Sequence, residues 1–347
     1  MTARAFPPRT LLLMFALLFI AGNLWAQQGL PLQSRTFPIA AAEGTGVHLI
    51  HVQGNVYMIA GAGPNLTLQV GDDYMILVDS GTPGKSAAIL AAMRTVSNRR
   101  VQYLINTSAD PTHTGNNTEI KQSGFFAQQG GTMDRTNTGA AILAHLGVLD
   151  RMSASAGNPT SAPESSWPID TYSASEWKLF NDEPVILMHA PAAHTDGDTF
   201  VFFRRSDVIS TGDLFTPDLY PVIRSDMGGS INGLIAALNR IIDLMVTKVN
   251  EEGGTFLIPG HGRICERSDI VNYRDAVTII RDRIQDMINH GMTLEQVKSA
   301  RPTLDYDAEY GADSGPWTTA MFIEAVYHDL IGSKSAKEVS ASTGDHP

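Results

Sequence analysis

The sequence predicts an α/β fold on three observations. Strand patterns and helical patterns alternate along the chain, several strands are continuous apolar runs of the kind buried on both faces, and polar loops sit directly after strand ends. The chain has 347 residues, within the range of one large domain or two. Hydrophobic residues at 43% and charged residues at 18% supply a packed core and exclude disorder as the main state. The balance of 25 Lys+Arg against 36 Asp+Glu, without a basic run, excludes nucleic acid as a partner.

Residues 1–26 read as a signal peptide. Arg4 and Arg9 precede an apolar stretch from Leu11 to Ala21, followed by Leu24-Trp25-Ala26 and then by Gln27-Gln28. The apolar run is shorter than the ~20 residues that span a bilayer, so no stable membrane insertion is expected after cleavage, a retained anchor being the alternative. The protein is expected to be periplasmic or secreted. Its single cysteine, Cys265, cannot form an internal disulfide, so packing alone must hold the exported chain together.

From Val47 to Ile59 an alternating segment passes through the turn dipeptide Gly54-Asn55, which predicts two short strands. Leu66 to Val70, the turn Gly71-Asp72-Asp73 and apolar Tyr74 to Val78 predict a hairpin whose last strand is buried and ends at Asp79-Ser80-Gly81. Helical spacing of Ile89, Leu90, Met93 and Val96 follows, then a buried strand, Val101 to Ile105. Residues 123–178 read as an irregular insertion with a helix from Thr138 to Met152, and its Trp167, Tyr172 and Trp177 are weighed as core or pocket residues. Strands resume at Trp177 to Phe180, Val185 to Met188, Phe200 to Phe203 and Val208-Ile209. A helix over 230–249, the strand Thr255 to Ile258, and helices within 270–332 complete a domain over 27–334, with a flexible tail over 335–347.

Four polar loops follow strands and carry His113, His194, Asp213 and His261. Divalent zinc prefers imidazole and carboxylate ligands, and strand-end loops on a rigid sheet bring such groups together with a position left open for water. One such residue is weak evidence; four in equivalent places point to a metal site.

The order of these loops resembles the metallo-β-lactamase superfamily. Leu77-Val78-Asp79-Ser80-Gly81 is similar to its early Asp-Ser/Thr-Gly turn, Ala193-His194-Thr195 to its His-Thr loop, Thr211-Gly212-Asp213-Leu214 to its bridging Gly-Asp segment, and Pro259-Gly260-His261-Gly262 to its closing motif. The resemblance covers roughly Val47 to Ile331. It implies a four-layer αββα sandwich, and a hydrolase using a metal-bound hydroxide on an ester, lactone, thioester, amide or phosphoester. The family's His-x-His-x-Asp-His signature is altered here to Ser108-Ala109-Asp110-Pro111-Thr112-His113, so only its last histidine is kept.

The resemblance then implies Asp110, His194 and Asp213 around a first ion, and His113, His261 and Asp213 around a second. Three readings stay open: one or two divalent ions with Asp110 as a replacement ligand, a single ion on His113, Asp213 and His261, or a binding protein whose metal site has decayed. Zinc is expected first, with manganese or iron favoured by the added carboxylate. Because Thr112 cannot accept a proton at neutral pH, catalytic roles fall to Asp110 and Asp213. Asp79, Ser108, Thr112, His189 and Asp198 are expected to support the site or line the substrate pocket, Asp79 as a turn acid and Asp198, with Asp196, as holding the loop around His194.

Overall fold

A computed structural model describes residues 37, 39–41, 44–125, 139–154, 160–247 and 253–343. The expected signal peptide lies outside them. Residues from Pro38 onward form one compact unit, to which everything below refers.

The first sheet runs in sequence order: β1 (Ile39–Ala41), β2 (His48–Gln53), β3 (Val56–Ala60), β4 (Leu66–Val70), β5 (Met75–Val78), β6 (Val101–Asn106), β7 (Ala141–His145) and β8 (Asp170–Tyr172). Pairing is antiparallel as far as β5 and parallel from β5 to β8. The second sheet has the order β13-β12-β11-β10-β9, from β9 (Glu176–Phe180), β10 (Glu183–His189), β11 (Thr199–Phe203), β12 (Val208–Gly212) and β13 (Phe256–Pro259).

Side-chain alternation sets the layering. In β4 and β5, Leu66, Leu68, Met75 and Leu77 pack in one cluster with Ile89 and Met93 of the helix Ser86–Arg94. Thr67 and Gln69, which alternate with the two leucines, therefore point to the opposite face. There Thr67 Oγ1 donates to Ser210 Oγ of β12 at 2.9 Å, and Gln69 Nε2 donates to Glu183 Oε2 of β10 at 2.6 Å. The second sheet turns Phe200, Phe202, Ile209 and Leu257 towards the helices Ile231–Leu244, Arg267–Asn289 and Thr319–Thr343. Helix, sheet, sheet and helix follow in that order, the expected αββα sandwich.

Two expectations are corrected. The helix expected over Thr138 to Met152 is β7 followed by the short helix Leu146–Met152, and the expected irregular insertion supplies β7 and β8 to the first sheet. All five residues of β7 are buried, so the strand shows neither period, and its alanines mimic a helical segment. The last helix runs to Thr343, past the expected start of the tail.

Glu183 joins the sheets at the end away from the polar loops. Its carboxylate is 1% exposed and accepts from Gln69, from Ser206 N at 2.6 Å and from Ser206 Oγ at 3.1 Å. Removing it strands buried donors. Glu183→Ala is expected to cost about 2–4 kcal/mol in urea unfolding; a loss under ~1 kcal/mol would show that water replaces the carboxylate.

Candidate metal centre

The site begins with the backbone at the end of β5. Asp79 sits in left-handed conformation (φ 63°), 2% exposed, with its N–H donating to Ile105 O of β6 at 2.7 Å. Its Oδ1 accepts from Thr107 N at 2.8 Å, and its Oδ2 accepts from Thr107 Oγ1 at 2.7 Å and lies 2.7 Å from His113 Nδ1. Asp79 therefore accepts the Nδ1 hydrogen bond, and Nε2 is the nitrogen turned towards Asp213.

Asparagines brace this turn from below. Asn116 Oδ1 accepts from Lys85 N and Ser86 N at the start of the helix Ser86–Arg94, while its Nδ2 reaches Ser80 O at 2.6 Å. Asn117 Oδ1 accepts from Ser80 Oγ at 2.8 Å and from Asn106 Nδ2 at 3.1 Å.

His113 Nε2 is buried and makes no hydrogen bond, yet it lies 3.0 Å from Asp213 Oδ2. On the other oxygen of Asp213, Oδ1, His261 Nε2 lies 3.8 Å away. The three side chains offer ligand atoms that all fall within 4.8 Å of one another. A buried imidazole nitrogen that faces a carboxylate oxygen without a hydrogen bond is an arrangement that a cation satisfies once it displaces the Nε2 proton, so the donor set fits a divalent ion. His261 comes from the loop after β13. Asn65, in the β3–β4 connection, holds that loop by donating from its backbone to Gly260 O at 2.7 Å and from Nδ2 to Pro259 O at 3.0 Å and Gly262 O at 2.9 Å.

His194 stands beside the triplet and outside it. Its Nδ1 is buried without a hydrogen bond, 3.9 Å from Asp213 Oδ2 and 3.6 Å from Asp198 Oδ1. Asp198 is committed to its own loop, accepting from Thr195 N at 2.6 Å and Thr195 Oγ1 at 2.7 Å. Asp110 is not brought into the triplet. It caps the short helix Pro111–Thr114: its Oδ1 accepts from Thr112 N at 2.8 Å and from Thr112 Oγ1 at 2.7 Å. Its Oδ2 faces Arg224 Nη1 at 3.9 Å.

Ser108 is buried and accepts from Asp110 N at 3.2 Å. His189 donates from Nε2 to Asp196 O at 2.8 Å and stacks on His145 with ring centres 3.7 Å apart. None of the three weighed aromatics belongs to the cluster: Tyr172 is buried against Thr199, Trp167 donates to Ala162 O, and Trp177 is 69% exposed on the edge strand β9. Arg224 is the residue that sequence reasoning missed, since no local pattern links it to Asp110.

Charge in the cluster is strongly coupled. Burial opposes the charged form of His113, but the carboxylates of Asp213 and Asp79 outweigh it and hold its pKa well above the usual imidazole range. His194 is raised in the same way, against burial, by Asp198 and Asp213. Burial also works against the Asp213 carboxylate, yet His113, His194 and His261 hold its pKa well below the ordinary value. At the more open His261, burial wins over Asp213 and lowers the pKa.

Comparison with known proteins gives a consistent fold. Residues 51–261 match the family model described as the Metallo-beta-lactamase superfamily. No curated protein matches in sequence. Among solved structures, the stereoselective inverting sec-alkylsulfatase Pisa1 from Pseudomonas sp. superposes with a TM-score of 0.61 at 15% identity, covering 81% of this chain and 49% of that one. A double mutant of the sec-alkyl sulfatase PisA1 gives 0.62 at 15% identity, covering 82% and 50%. The chain thus spans about half the length of these relatives. A metallo-beta-lactamase from Pontibacter korlensis covers 70% of this chain, which spans 99% of that one, at 10% identity with a TM-score of 0.48.

Two outcomes test the geometry. Asp79→Asn is expected to weaken zinc binding 10- to 100-fold in calorimetric titration, because the group that orients His113 loses its charge. In metal-free protein, the raised pKa values of His113 and His194 give stability that is complete below the unfolded imidazole value of ~6.5 and is lost as pH rises through the folded values. The melting temperature of chelated protein should therefore fall from pH 6 to 9, and excess zinc should remove the decline; a flat profile without metal would contradict the coupling.

Proposed function

Since the chain belongs to the metallo-beta-lactamase superfamily, we propose that it is a metal-dependent hydrolase of small-molecule esters, lactones, thioesters, amides or phosphoesters, holding its ion on His113, Asp213 and His261. The observation that carries this reading is the buried, unbonded Nε2 of His113 beside the Asp213 carboxylate. Two imidazoles and one carboxylate suit zinc first, with manganese or iron as alternatives. When bound, such an ion supplies Lewis acidity and lowers the pKa of water at the site.

The chain's own groups do the rest. Asp79 keeps a proton on His113 Nδ1, so that Nε2 stays a donor of electrons. Asp213 is held ionised by the histidines around it. With Thr112 spending its hydroxyl proton on Asp110 Oδ1, Asp110 Oδ2 is the carboxylate oxygen left to take a proton from the attacking water. Sulfate esters join the substrates to test because the fold is shared with a sec-alkylsulfatase. The N-terminal pattern supports action outside the cytoplasm, and cell fractionation tests it.

Elemental analysis of tag-free protein followed by an ester, thioester, phosphoester and sulfate-ester screen is the direct test. Asp213→Ala should abolish metal-dependent turnover, and Asp110→Asn should lower kcat by about 10²- to 10⁴-fold with its metal content unchanged. Protein that contains no metal and takes none up would instead support a binding protein with a decayed site, as the replacement of metal-donor residue types by Ser108 and Thr112 suggests.

A further inference from the structure

We infer that Arg224 supplies the fixed positive charge beside Asp110 where a second ion would otherwise sit, so that the site holds a single divalent ion. The inference rests on reading His113, Asp213 and His261 as the metal site. A second ion beside Asp213 would need donors outside that triplet: His194, whose Nδ1 lies 3.9 Å from Asp213 Oδ2, and Asp110, the other ligand that the sequence offers.

Asp110 is not available to it. One oxygen is occupied by the two donors of Thr112, at 2.8 and 2.7 Å, and the other faces the Arg224 guanidinium at 3.9 Å. Arg224 is oriented by its own neighbour. Its Nε and Nη2 fork onto Asp226, each at 3.0 Å, which fixes the plane of the guanidinium and aims Nη1 at Asp110.

The backbone of Arg224 is anchored to the same loop. Its N–H donates to His194 O at 3.0 Å, and its carbonyl accepts from Met227 N at 2.8 Å and Gly229 N at 2.9 Å. Gly229 has no room for a side chain, because a Cβ there would lie 2.1 Å from His194 O. The guanidinium is thus tied to the backbone that presents His194, one of the two remaining donors.

A guanidinium stays charged at every working pH, so this cation cannot be titrated away. It faces Asp110 and repels a divalent ion approaching the same carboxylate. The Oδ2 oxygen is thereby kept clear of metal, the condition under which it can serve as a proton acceptor.

The test is stoichiometry. Chelated protein titrated with zinc, by calorimetry and by elemental analysis after gel filtration, is expected to bind one equivalent. Arg224→Gln removes the charge and is expected to bind two, while Arg224→Lys, which keeps it, is expected to bind one. The double variant Arg224→Gln, Asp110→Asn should return to one, with circular dichroism and melting curves confirming that each variant is folded. Two equivalents in the wild type, falling to one in Asp110→Asn, would overturn the inference and leave the metal-site reading standing. One equivalent in folded Arg224→Gln would overturn it as well. No binding by wild type, or binding unaffected by His113→Ala, would overturn both.

Discussion

The hydrogen bond between Asp79 and His113, 2.7 Å long and buried, is the constraint on which the site depends. It joins the end of β5 to the loop after β6 and fixes which nitrogen of the imidazole is free. To make it, Asp79 adopts a left-handed backbone that an L-residue takes up only against a steric cost, and the surrounding bonds from Thr107 and Ile105 hold it there. Asn116 and Asn117 then lock the turn from underneath. The nitrogen that faces Asp213 is thereby placed by a hydrogen-bonded sheet end and not by an unbraced side chain, the condition that a preorganised site requires.

Around this anchor, Asp213 does the joining. It comes from the end of β12 in the second sheet, yet its two oxygens reach histidines presented by both sheets. Asp213 among three imidazoles, with Asp79 behind His113 and Asp198 beside His194, explains the opposed pKa shifts, the acid held down and His113 and His194 held up. Asp110 lies within the same neighbourhood but answers to a different set of partners, Thr112 and Arg224. Two aspartates that look interchangeable in the sequence therefore differ in what they can do.

Much of this is legible in the order of the amino acids. Strands β2 to β6 and β9 to β13 follow from alternation and from buried runs such as Met75 to Val78, and the loops with His113, His194, Asp213 and His261 follow from their places after strands. What is not legible there has physical reasons. The β7 strand, Ala-Ile-Leu-Ala-His, is buried throughout and so carries neither the two-residue nor the 3.6-residue period. Asp110 spends Oδ1 on the cap and turns Oδ2 towards Arg224, an assignment that only the geometry makes. Arg224 meets Asp110 from a distant part of the chain, a pairing no local pattern encodes.

The clasp of Asn65 on the closing loop has a consequence for how the protein comes into being. Asn65 reaches Pro259 across 194 residues of sequence, on the loop that carries His261. Contacts of such separation carry a loop-closure entropy that local contacts do not, and folds rich in them form slowly. His113, Asp213 and His261 are themselves far apart in sequence, so an ion held on them would not seed the fold in the way a zinc finger's ion does; it would enter a chain already folded.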